Sequence, residues 1–134
     1  MADSPAQRIT VVAAIIRQAG RILIVQRPDS AAMGGLWEFP GGKLEHGETP
    51  EAALARELIE ELALAVAVTD LYHTTDHTYP DGPAVRLLFY HCRILAGTPQ
   101  LLWGQAYRWV APADLPGYAY PAADQEVVMR LAAG

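Results

Sequence analysis

Apolar residues run unbroken through 11–16, and a second apolar run, 22–25, follows a Gln18-Ala19-Gly20 turn. Both runs are rich in Val and Ile, so residues 10–16 and 21–25 predict a β-hairpin. The first run is apolar at consecutive positions, which would bury both faces of a strand and places it at the centre of a sheet. Between Pro28 and Gly42 the chain is punctuated too often by Pro and Gly for a long element, and a loop carrying a short strand at 36–39 is expected. Thr49 then reads as an N-cap, Pro50 as the first helical residue, and the run to Leu62 holds no internal Gly or Pro. Helical periodicity puts Leu54, Ala55, Leu58, Ile59 and Leu62 on one face, with Glu57, Glu60 and Glu61 opposite. Residues 66–73, 84–94 and 106–110 predict further strands, with turns at Pro80-Asp81-Gly82 and Gly97-Thr98-Pro99. A helical turn at 112–115 and a helix over 121–131, apolar at Val127, Val128 and Leu131, complete the pattern. Strands on both sides of one strong helix imply an α/β fold, a mixed β-sheet sandwiched between α-helices.

Composition narrows this further. A chain of 134 residues with 51% hydrophobic content suits a single domain, 1–134. A net charge of -5 argues against a partner gripped through many phosphates by Lys and Arg, so no nucleic acid polymer is expected. The single cysteine, Cys92, lies in an apolar run and predicts a buried, inert thiol. The opening stretch MADSPAQR has no apolar signal core, and the early apolar run is far below the ~18 residues of a membrane span. The expectation is a soluble, cytoplasmic protein without membrane contact.

The chemistry concentrates on the helix. Glu57, Glu60 and Glu61 crowd its C-terminal half, where the macrodipole disfavours each negative charge by ~0.3–1 kcal/mol and the carboxylates also repel one another. A solvated acidic face is the ordinary reading of such a pattern. A hard divalent cation reverses the energetics, because Mg²⁺ takes carboxylate oxygens together with substrate phosphates. Just upstream, Gly41-Gly42-Lys43 permits close backbone approach and adds one local positive charge.

The segment GKLEHGETPEAALARELIEELAL, from Gly42 onward, resembles the Nudix box, matching at Gly42, Glu48, Arg56, Glu57, Leu58, Glu60, Glu61 and Leu64. Ala63 stands where that family has Gly, and a slightly altered helix exit is expected. The resemblance extends to the MutT-like branch of nucleoside triphosphate hydrolases through Gln26-Arg27-Pro28, the run from Gly35 through Trp37-Glu38-Phe39-Pro40 to Gly42, Arg108-Trp109-Val110 and Tyr120-Pro121-Ala122-Ala123-Asp124. It implies a Nudix fold and metal ligation by Glu57, Glu60 and Glu61 with a backbone carbonyl near Gly41. It also implies Mg²⁺ as cofactor, with Mn²⁺ able to substitute, and Glu48 paired to Arg56 as a brace. Glu57 or a neighbouring glutamate would serve as general base, directly or through a metal-held hydroxide. Trp103 occupies a place where some MutT-like enzymes carry a further glutamate.

By the same resemblance, the substrate is a nucleoside triphosphate, oxidised or otherwise modified, cleaved to the monophosphate and pyrophosphate, in a role such as nucleotide-pool sanitising. Arg27, Phe39, Lys43, Tyr120 and Asp124 are the expected substrate contacts. Arg27 reads equally as a surface ion-pair residue, and Asp124 equally as a helix cap. An ionised Asp124 would favour bases presenting donors, cytosine or guanine. Of Trp37, Phe39, Tyr79, Tyr118 and Tyr120, no more than two are expected to stack on a base, Phe39 and Tyr120 ahead of the rest. His46, His73, His77 and His91 have no metal spacing. Alternatives are a diphosphate-linked substrate such as ADP-ribose, or a non-catalytic nucleotide-binding module. Either a monomer or a homodimer is compatible.

Overall fold

The structure, a computed structural model, describes residues 8–134. Most of the opening stretch read above for a signal core lies outside the described residues. Strand β1 (Ile9–Gln18) is the spine, as its unbroken apolar run implies. On one side it runs parallel to β6 (Ala84–Ala96), in register from Ile9 opposite Val85 to Ile16 opposite Cys92. On the other side it is shared. Its first half pairs antiparallel with β4 (Gly41–Lys43), and its end pairs with β2 (Arg21–Gln26). β2 also carries β3 (Trp37–Glu38) and β7 (Ala106–Val110), and the long β5 (Ala65–Thr78) pairs antiparallel with β6 at the far edge.

The two-residue period of β1 sorts the core into two layers. Val12, Ala14 and Ile16 face helix α1 (Pro50–Leu62) with Leu54, Leu58 and Leu62. Ala13 and Ile15 face helix α2 (Gln125–Ala133) with Val127, Val128 and Leu131. This is the mixed sheet between helices that the pattern predicts. Short 3₁₀ segments, Pro112–Gly117 and Ala122–Asp124, lead into α2, so the final helix starts later than 121. Cys92 is free and buried, and burial pushes its thiol up to about 12. Among the described residues no helix is long and apolar enough to cross a membrane.

Two details of α1 differ from the expected helical wheel. Ile59 is 56% exposed, and Ala53 is buried in its place. The buried face is therefore centred nearer Leu54, and at 3.6 residues per turn Glu57 and Glu61 fall between Ala53 and Leu54. They flank the apolar face, and only Glu60 points well away from it. Strand β4 was not anticipated, because glycines are poor strand formers. It forms because Gly41 has no side chain: a Cβ there would strike the Val12 carbonyl oxygen.

The exit of α1 is of the ordinary glycine type, contrary to the altered exit expected for Ala63. Ala63 adopts φ 55°, ψ 34°, and its N–H donates to the Ile59 carbonyl. An alanine in this left-handed region is strained where a glycine is not. Ala63→Gly is therefore expected to stabilise the fold by about 1 kcal/mol and to raise Tm by a few degrees, checked by thermal denaturation.

Candidate active site

A cavity of about 1030 Å³ opens beside α1, between β4 and the loops at one end of the sheet. Its floor is apolar, with Val11 of β1, Val85 and Leu87 of β6, and Phe39. Its ionisable lining is lopsided: Glu38, Glu57, Glu60, Glu61, Asp81 and Asp124 against Arg27 and Lys43. Such a cavity repels a polyanion unless other cations enter with it.

The acidic end is organised by Arg56. Its Nε and Nη2 donate to the two Glu48 carboxylate oxygens at 2.7 and 2.9 Å, a bidentate pair that ties the loop before α1 to the helix. Glu48 also accepts from the Glu45 N–H at 3.0 Å, and these bonds hold its carboxyl below the usual range. The remaining guanidinium edge reaches Glu57 at 3.0 Å and Glu60 at 3.3 Å. This contact was not foreseen from the sequence, although the i, i+4 spacing to Glu60 carries it. Glu57 needs the neighbouring glycine, since a Cβ on Gly42 would overlap its carboxylate.

The three carboxylates share a helix side without closing on a point. Among the described residues no group of three His, Cys, Asp or Glu side chains converges tightly enough to hold an ion as it stands. Glu57 and Glu60 are each ion-paired to Arg56. Glu61 is left over: its Oε1 is sealed from solvent with no hydrogen-bond partner. Burial pushes its carboxyl well above the usual carboxylate range, with the Glu38 and Glu57 charges adding to the effect. An orphaned oxygen, two further carboxylates and the Gly41 backbone make a hard-oxygen donor set that fits a divalent cation.

Arg27 and Glu38 form the opposite wall, paired at 2.7 Å. Arg27 is thus ion-paired, the alternative weighed against a substrate contact, and it also lines the cavity where such a contact would be made. Glu38 was not singled out from the sequence; burial raises its carboxyl, and Arg27 opposes the rise. Asp124 lines the cavity, is only 5% exposed, and makes no capping hydrogen bond to α2. Its carboxyl is pushed up to about 8, first by burial and then by Glu38. Its surroundings therefore favour the neutral form over the ionised form expected, and in the neutral form it can donate as well as accept. Lys43 is exposed on the rim. Phe39 lines the cavity but is 3% exposed, and Tyr120, 6% exposed, stacks behind it with ring centroids 6.1 Å apart. Tyr120 donates to the Leu115 carbonyl at 2.9 Å and does not reach the cavity. The aromatic groups that do line it beside Phe39 are Tyr79 and Trp103; Trp37 and Tyr118 pack edge to face elsewhere. None of the four histidines lines it.

The sequence and fold of the chain have known counterparts. Residues 11–130 match the NUDIX domain. The chain belongs to that family. It is 40% identical to the Escherichia coli CTP pyrophosphohydrolase over 87% of this chain and 85% of that protein. It is 36% identical to the Haemophilus influenzae 8-oxo-dGTP diphosphatase, over 92% and 90% of the two chains. The solution structure of the E. coli ORF135 protein superimposes with a TM-score of 0.82 at 35% identity, covering 96% of this chain and 91% of that one.

Within this NUDIX domain, the metal-ligand candidates are legible in advance because their spacing along α1 brings them to one side. Glu38 comes from β3 and Asp81 from the turn between β5 and β6, and only the folded sheet brings them to the same cavity. Asp124 provides a test of the cavity's polarity. Its folded pKa lies above the unfolded value, so the stability it contributes is complete below pH 4 or so and is lost as pH rises towards about 8. Asp124→Asn removes that dependence. The variant is expected to gain several degrees in Tm on the wild type between pH 5 and pH 8, with little further gain above; a constant difference across this range would refute the neutral carboxyl.

Proposed function

We propose that this NUDIX domain, taken as one unit over 1–134, hydrolyses a nucleoside triphosphate to the monophosphate and pyrophosphate. Mg²⁺, or Mn²⁺ in its place, would be held by Glu57, Glu60 and Glu61 with the Gly41 carbonyl. The observation that carries this reading is the lopsided cavity: an acidic end with an orphaned carboxylate oxygen, continuous with an apolar floor suited to a base. When bound, the divalent cation supplies Lewis-acid stabilisation of the phosphate oxygens and lowers the pKa of water.

The residues do the rest. Arg56 and Glu48 hold the loop against α1, so the carboxylates do not wander when the charge balance changes. A glutamate of the cluster, Glu57 ahead of the others because Gly42 leaves its carboxylate room, takes the proton from the attacking water. The water oxygen bonds to one phosphorus of the α–β linkage, the bridging P–O bond breaks, and the departing phosphate oxygen takes the electron pair, giving the monophosphate and pyrophosphate. Arg27 and Lys43 meet phosphate oxygens from the two rims, and Phe39 and neutral Asp124 meet the base. The relatives named for CTP and for 8-oxo-dGTP both suit an Asp124 able to donate and accept. A modified or oxidised deoxynucleoside triphosphate is the preferred substrate in this reading, and removal of damaged nucleotides in the cytoplasm is its role.

Nucleoside monophosphate formation from CTP, 8-oxo-dGTP, the normal deoxynucleoside triphosphates and ADP-ribose with Mg²⁺ tests this directly. Glu57→Gln and Glu60→Gln are expected to lower kcat/KM by roughly 10²-fold. A flat substrate profile, or a clear preference for ADP-ribose, would refute the substrate assignment. Slow wild-type turnover insensitive to both substitutions would instead favour a binding module.

A further inference from the structure

Trp103 stands at the mouth of the cavity, 37% exposed, on the segment between β6 and β7. Both ends of that segment are pinned. The Leu102 and Gln100 N–H groups donate to the Glu61 and Leu62 carbonyls at 3.1 and 2.9 Å, and the Gln105 N–H donates to the Gln26 carbonyl at 3.0 Å. Gly104 permits the close passage over β2, since a Cβ there would strike the Val25 side chain. The indole is thereby held under the Arg27 guanidinium, whose central carbon lies 5.2 Å from the ring centroid.

Every other constraint on Arg27 acts in the plane of its guanidinium. Nη1 donates to Glu38 and Nε to the Ala32 carbonyl, each at 2.7 Å. Nη2 has no protein partner among the described residues, although Arg27 lines the cavity. The acidic lining of the cavity offers a long guanidinium several carboxylates, and Arg56 shows one guanidinium spread over four glutamates. The indole adds to the in-plane bonds of Arg27 a constraint from its face, because a ring face favours a guanidinium over it without competing for its N–H groups.

We infer that Trp103 is a positioning residue: its indole holds Arg27 against Glu38, so that the unpartnered Nη2 edge is presented to the phosphate oxygens of a nucleoside triphosphate. The inference rests on the nucleotide assignment above. An aromatic ring at this position thus supports a cation for phosphate binding.

The test is calorimetric binding, with Mg²⁺, of the non-hydrolysable α,β-imido analogues of CTP and 8-oxo-dGTP to the full chain. Trp103→Leu keeps apolar bulk without a π face, and Trp103→Phe keeps the face. Trp103→Leu is expected to weaken binding about tenfold, while Trp103→Phe stays within about threefold of wild type. In an Arg27→Ala background, Trp103→Leu is expected to cost nothing further. Equal losses for Leu and Phe, an additive loss in the Arg27→Ala background, or unchanged binding for Trp103→Leu would each overturn the inference. Wild type that binds an analogue without hydrolysing CTP or 8-oxo-dGTP would sink the hydrolase reading while the Leu and Phe comparison still decides the role of Trp103. Wild type that binds neither analogue overturns both.

Discussion

The site depends on keeping mutually repelling carboxylates in a half-buried space. Glu57 and Glu61 flank the apolar side of α1, Glu38 faces them from β3, and Asp124 closes the far wall. Left alone, such a group would swell or protonate. Here both compensations operate: Arg56 screens Glu57 and Glu60 from the solvent side, Arg27 holds Glu38, and Glu61 and Asp124 have carboxyls pushed far above the usual range by burial. The fold keeps the site poised by neutralising much of its charge internally.

That balance explains why the glycines of β4 matter more than their count suggests. Gly41 lets β4 lie directly on β1, and Gly42 leaves space for the Glu57 carboxylate. Together they bring the backbone of β4 close to the side of α1 that carries the charge. With ordinary residues here, a Cβ at 41 would strike the backbone of β1 and one at 42 would overlap the Glu57 carboxylate.

The sequence made the layers legible because β1, β2 and α1 have strong, unmixed periodicity. The two-residue period of β1 separates the α1 side of the core from the α2 side, and Thr49 with Pro50 marks the helix start. The error lay in phase. Counting Ile59 with the apolar face, although it is exposed, rotated the helix and put Glu57 and Glu61 opposite the core instead of beside it. Leu54, Leu58 and Leu62 alone would have given the right phase. Glu38 could not be found this way, because nothing in a two-residue strand says which long-range neighbours its side chain will meet. Nor could the neutrality of Asp124, which comes from burial by β-strand and 3₁₀ segments distant in the chain.

Tyr120 and Phe39 show how a motif can be right while its residues divide the labour. The rings stack at an angle of 11°, but only Phe39 reaches the cavity, and Tyr120 supports it from behind with its hydroxyl tied to the Leu115 carbonyl. A similar division runs through the site. Glu48 supports Arg56, Arg56 supports Glu57, and the floor of β1 and β6 supports Phe39. Each exposed functional group is therefore backed by a partner whose own position is set by backbone bonds or by the core. This makes the geometry of the cavity a property of the sheet and α1 together, so that a change in the packing of either is transmitted to the carboxylates.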